Sequence, residues 1–105
     1  MALSKVANRY AKSFLDTSIE RNILDKVSSD FDFVHRSLIK SNELLRAFKS
    51  PVIKTETKQS ILVEIFGKSI SKDSLDFLNF VITKGREELF AEILEKFDNL
   101  KDEHI

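Results

Sequence analysis

Apolar residues recur at intervals of three and four along almost the whole chain, and turn-forming residues interrupt them at five places. The pattern therefore predicts six α-helices joined by short connections. The first runs from Leu3 to Ile19. Placing residues about 100° apart around its axis collects Lys5, Arg9, Lys12, Asp16 and Glu20 on one narrow polar arc. The rest is apolar or small: Leu3, Val6, Ala7, Tyr10, Ala11, Phe14, Leu15 and Ile19 cover roughly 220°, about twice the stripe of an ordinary core-facing helix. Such a helix needs two surfaces to bury it. Ala7, Ala11 and Ser18 lie where small side chains let another helix come close.

The break at Arg21–Asn22 suits asparagine's tolerance of the left-handed conformation that closes many helices. The second helix, Ile23 to Lys40, carries a simple stripe of Ile23, Leu24, Val27, Phe31, Val34 and Leu38. Phe33 falls on its other side, either as a solvent-facing aromatic or, as the preferred expectation, packed on a neighbouring segment. Ser41 or Asn42 caps a short third helix, Glu43 to Lys49, anchored by Leu44, Leu45 and Phe48. Ser50–Pro51 breaks the chain. Thr55 is the expected cap of a fourth helix reaching Phe66, with Ile61, Leu62, Ile65 and Phe66 facing the core and Gly67 as its stop.

The fifth helix starts at Ser71 or Asp73, runs to Lys84 and stops at Gly85. It repeats the oddity of the first: Leu75, Leu78 and Ile82 form one apolar face, and Phe77, Phe80 and Val81 form another beside it. The last helix, Glu87 to Asp102, returns to a single stripe through Leu89, Phe90, Ile93, Leu94, Phe97 and Leu100, and the ending KDEHI is expected to fray. Two wide-faced helices could form a groove of the kind that receives an amphipathic helix, or could be the two central helices of a core. Periodicity does not separate these.

Composition narrows the function classes. At 105 residues the chain holds one core. Two glycines and one proline are too few for hairpins or phosphate-cradling loops, which leaves an all-α single domain. Seventeen basic residues cancel seventeen acidic ones, against a dedicated nucleic-acid binder, and the absence of cysteine excludes disulfides and thiolate chemistry. No apolar run approaches the roughly 20 residues that span a bilayer, and no signal or transit pattern opens the chain, so membrane association is expected through a partner.

Catalytic and metal chemistry find no foothold. Gly67-Lys68-Ser69 mimics the end of a P-loop, but Leu62 stands where that loop needs glycine. His35 and His104 lie far apart with no second ligand one helical turn away, and His35 reads as a partly buried structural histidine. Asp30 and Asp32 point to different sides of their helix and read as a solvated face. No serine sits in a nucleophile elbow. No catalytic, cofactor or metal site is expected.

Three segments carry a family resemblance. Val6-Ala7-Asn8-Arg9-Tyr10-Ala11-Lys12-Ser13-Phe14 resembles the opening motif of the ATP synthase delta subunit family, whose mitochondrial counterpart is the oligomycin-sensitivity-conferring protein. Phe48-Lys49-Ser50-Pro51-Val52-Ile53, followed by Lys58, is similar to its "F-x-x-P-x-I … K" segment, and Leu78-Asn79-Phe80-Val81-Ile82-Thr83-Lys84-Gly85-Arg86 resembles its "N-F-L … G-R" segment. The resemblance covers the family's N-terminal domain and implies a six-helix bundle whose first and fifth helices line a groove for the amphipathic N-terminal helix of an α subunit. It places Tyr10, Ser13 and Phe14 on one wall, Phe77, Phe80 and Val81 on the other, and Lys84 at the rim. Ser13 stands where the family pattern favours alanine, and Arg86 is assigned to structure. The implied function is that of a non-catalytic stator component, with a C-terminal domain, expected to begin where this chain stops, contacting the peripheral-stalk b subunit. The expected location is the cytoplasmic side of a bacterial inner membrane, peripherally. An all-helical RNA-binding module of the antitermination type is the alternative, and a small helical enzyme comes third.

Overall fold

The computed structural model describes the backbone of residues 2–104 and the side chains of residues 5–104, so the side chain of Leu3 lies outside it. The helices are α1 (Ala2–Glu20), α2 (Leu24–Lys40), α3 (Asn42–Lys49), α4 (Thr55–Phe66), α5 (Lys72–Thr83) and α6 (Phe90–His104). A single 3-10 turn, Glu87–Leu89, leads into α6, and no strand occurs among the described residues. The Cα radius of gyration is 12.8 Å, close to the value of about 13 Å for one compact domain of this length.

The helix boundaries follow from local chemistry. Asn22 adopts a φ of 60° and Gly85 one of 72°, and each closes a Schellman turn. In the first, Ile23 N–H donates to Ser18 O (2.9 Å) and Asn22 N–H to Ile19 O (3.1 Å); in the second, Arg86 N–H donates to Val81 O (3.0 Å) and Gly85 N–H to Ile82 O (2.9 Å). Gly67 also follows a helix, but in a right-handed conformation, and a Cβ there would collide with the Val63 carbonyl oxygen. Ser41 and Ser71 cap α3 and α5, accepting from Leu44 N–H (3.2 Å) and Ser74 N–H (3.3 Å).

Three boundary expectations need correction. Thr55 is the first helical residue of α4 and not its cap; Lys54, extended after the proline break, holds that position without a side-chain capping bond. The segment expected to begin the last helix is the 3-10 turn. Beyond it α6 stays helical through His104 where fraying was expected, its end tied to α2 by Lys101 Nζ donating to Ser28 Oγ (2.9 Å).

α1 packs most extensively on α6. Ala7, Ala11 and Ser18 are wholly buried, as a close helix crossing requires, and Ser18 satisfies its hydroxyl by donating to Phe14 O (2.7 Å). Much of the wide arc of α1 is therefore internal packing. Phe33 meets Phe66 of α4 edge-on at 6.0 Å while staying 39% exposed, so it packs on a neighbouring segment and faces solvent as well. Ile65, expected in the core, is 48% exposed, because the last turn of α4 is covered only on its Phe66 side.

Two buried charged clusters tie separate elements together. Asp30 is not on a solvated face but buried, while Asp32 is exposed. Asp30 Oδ2 accepts from Ser71 N–H (2.9 Å) and Ser74 Oγ (2.8 Å), and Oδ1 pairs with Lys26 Nζ (3.1 Å). The sequence pattern missed it because its partners lie on α5, 41 and 44 residues away. Burial pushes the Asp30 carboxyl up, but the bonds from Ser71, Ser74 and Lys26 together outweigh it and hold the group below the usual carboxylate range. Asp30 thereby binds the N-terminus of α5 to α2, where a negative charge also suits the helix dipole. The second cluster is a buried ion pair between Lys58 Nζ and Glu87 Oε2 at 2.9 Å, joining α4 to the 3-10 turn.

Candidate functional site

α1 and α5 run antiparallel and meet through side chains, each keeping its closer backbone contacts for other helices. Their register shows in three pairings. Tyr10 meets Phe80 edge-on (6.1 Å between ring centroids), Phe14 stacks on Phe77 (4.8 Å, 14° between planes), and Arg21 Nη1 pairs with Asp73 Oδ1 at 3.2 Å. Between the helices lies a shallow depression of about 240 Å³ lined by Arg9, Tyr10, Ser13 and Phe80.

The seven sequence-selected residues divide into wall and floor. Phe80 is 47% exposed, and Tyr10 and Phe77 are half-buried. Ser13 is exposed beside Tyr10. Lys84 is exposed, with its ammonium 5.4 Å from the centre of the Phe80 ring, the distance of a cation–π contact. Phe14, 4% exposed, and Val81, fully buried, belong to the core beneath. Phe14 also meets Phe31 edge-on at 6.2 Å. The wheel placed Val81 beside Phe80, but the two point to opposite sides of the surface, and only Phe80 reaches it. Arg9 lines the depression although the sequence assigned it to the polar arc; its adjacency to Tyr10 at the arc's edge was the available signal.

The arrangement suits binding, not bond-making. The lining offers two aromatic rings, two hydroxyls and one guanidinium, without a paired carboxylate or imidazole. Among the described residues no group of His, Cys, Asp and Glu side chains could hold a metal ion. Nor, among the described residues, is any helix long and apolar enough to cross a membrane. Two other open depressions, beside His104 and on the outer face of α4, gather none of the sequence-selected residues.

Comparison with known proteins gives a consistent result. The family model described as ATP synthase delta (OSCP) subunit matches residues 6–105. The chain is 36% identical over 103 residues to the ATP synthase subunit delta of Chlorobaculum parvum, covering 98% of this chain and 57% of that protein. It is 29% identical over 102 residues to the subunit delta of Chloroherpeton thalassium, covering 97% and 56%. It is also 30% identical over 97 residues to the chloroplastic subunit delta of Ochrosphaera neapolitana, covering 92% and 54%. The chain thus spans little more than half the length of these relatives. With six helices in the expected order and a family match across nearly its whole length, the chain belongs to the ATP synthase delta (OSCP) subunit family.

Proposed function

We propose that this chain is a non-catalytic stator module of a rotary, proton-translocating ATP synthase, and that the groove between α1 and α5 receives the amphipathic N-terminal helix of an α subunit. Family membership supports the stator role, and the half-exposed Phe80 beside Tyr10 is the observation that carries the groove. A phenylalanine left nearly half in water is a ready anchor point, since covering it releases apolar surface without rearranging the core. Tyr10 complements it, its ring filling space while its hydroxyl stays near solvent. In this reading Tyr10, Ser13, Phe77, Phe80 and Lys84 touch the partner, whereas Phe14 and Val81 support the surface from below. Contact with the peripheral-stalk b subunit then falls to the part of the full-length relatives that this chain does not span. The module sits peripherally on the cytoplasmic face of a bacterial inner membrane, held there by the complex.

The test is a calorimetric titration with a synthetic peptide of about 20 residues, roughly 30 Å when helical, from the N-terminus of the cognate α subunit. Saturable one-to-one binding with a negative heat-capacity change is expected. A folded sample that does not bind the peptide, or that instead retains RNA on a filter in a salt-sensitive way, refutes the assignment.

A further inference from the structure

The two ends of the groove differ in charge. The antiparallel register sets Val6 opposite Lys84 at one end and Arg21 opposite Asp73 at the other. Toward the Arg21 end the cations are paired within the domain, Arg21 with Asp73 (3.2 Å), Lys72 with Asp76 (3.1 Å) and, midway along α1, Lys12 with Asp16 (3.6 Å), and Glu20 adds an exposed carboxylate. At the Val6 end Lys5, Arg9 and Lys84 are all exposed, and none has an ion-pair partner among the described residues. Lys5 lies one helical turn from Arg9 on the same side of α1. Arg9 lines the depression itself, Lys84 stands over the ring that forms its other wall, and no carboxylate lines it. In a chain with a formal net charge of zero, three unpaired cations around one aromatic step are a local excess that the protein leaves uncompensated.

We propose that this cationic end selects and orients the occupant: an amphipathic helix that carries carboxylates at one end of its apolar stripe and seats that end beside Lys5, Arg9 and Lys84. The proposal rests on the groove reading above and adds the chemistry of the partner. Apolar contacts with Tyr10 and Phe80 are non-directional and would accept the helix either way round. Charge complementarity fixes register and suppresses the reversed mode. The lysine and arginine stems add apolar surface at the rim while keeping their heads in water. Exposed pairs are worth roughly 1.5- to 5-fold in affinity apiece, so three give a preference of about tenfold.

The experiment compares two synthetic amphipathic peptides of about 20 residues with the same apolar stripe, one bearing three Glu at one end and the other three Lys there. The Glu peptide should bind about tenfold more tightly at low ionic strength, and the gap should shrink severalfold in about 1 M salt, where the Debye length falls to roughly 3 Å. Arg9→Gln combined with Lys84→Gln should remove most of the preference. A nitroxide on the acidic end should broaden the amide resonances of Arg9 and Lys84 more than those of Arg21 and Asp73. Equal affinities for the two peptides overturn the charge proposal and leave the groove standing. Binding of neither peptide overturns both. Displacement of the Glu peptide by a short RNA would show the cations to be a phosphate site and overturn the proposal as well.

Discussion

Replacing Phe80 by alanine separates the surface of the groove from its floor. A phenylalanine presents roughly 200 Å², so 47% exposure leaves about 95 Å² for a partner to cover. At about 25 cal/mol per Å² full coverage is worth about 2.4 kcal/mol, or about fiftyfold in Kd. Partial coverage lowers this, so Phe80→Ala should weaken peptide binding between roughly tenfold and fiftyfold. The stability cost is of the same order: by the same measure the covered half of the ring, about 105 Å², and its edge contact with Tyr10 amount to about 3 kcal/mol, the low end of what a fully buried phenylalanine is worth. Phe14→Ala is the control. That ring is 4% exposed and stacked on Phe77, so its truncation should cost about 3–5 kcal/mol, a large share of the stability of a domain of this size. Urea melts give the stabilities, and calorimetry on samples shown to be folded gives the affinities. If Phe80→Ala destabilises as much as Phe14→Ala, or changes the affinity less than threefold, Phe80 is not the anchor argued for here.

The buried clusters make separate predictions. Asp30→Ala leaves Ser71 N–H and the Ser74 hydroxyl without their acceptor and should cost about 2–4 kcal/mol in urea titration at neutral pH. Because the Asp30 pKa is lower folded than unfolded, its contribution is complete above the unfolded value near 3.9 and fades as pH falls through the folded one. Asp30→Ala should therefore lose less stability on acidification than the parent, and parallel acid titrations followed by circular dichroism would show it. Lys58→Met strands the Glu87 carboxylate and should cost about 3–5 kcal/mol, most of which Lys58→Met with Glu87→Met should restore, as read from denaturant midpoints. Gly85→Ala should cost about 1 kcal/mol through its positive φ alone, since a Cβ there meets nothing within 4 Å, and Asn22→Gly should raise the melting temperature slightly.

The helices were legible because each is punctuated by a residue with one local job: Asn22 and Gly85 turning left-handed, Ser41 and Ser71 accepting from the next turn, Pro51 breaking the chain. The wide arcs of the first and fifth helices overstated what is exposed. A helical wheel records which way a residue faces and not what stands there. It could not show that Ala7 and Ala11 are fully buried on a helix that packs mainly on α6, or that Val81 turns inward while Phe80 turns out. Asp30 and Lys58 escaped for a related reason. Each is held by a partner on another helix, and a polar residue satisfied across the fold looks, in one dimension, like any solvated charge. Ile65 failed in the opposite sense, an apolar residue on the expected stripe at a helix end covered on one side only.

The floor of the groove has a mechanical consequence. Phe14 and Phe77 lean on each other, both meet Phe31 of α2 (6.2 and 6.4 Å), and Phe31 meets Phe97 of α6 at 4.8 Å. A pull applied to a helix seated above would pass from Phe80 and Tyr10 into interlocked rings contributed by four helices. Detaching one wall would mean shearing that aromatic cluster apart and not peeling a single helix from the surface. In the proposed stator role such a foundation would let sideways drag be shared by four helices before it reaches any one turn of backbone.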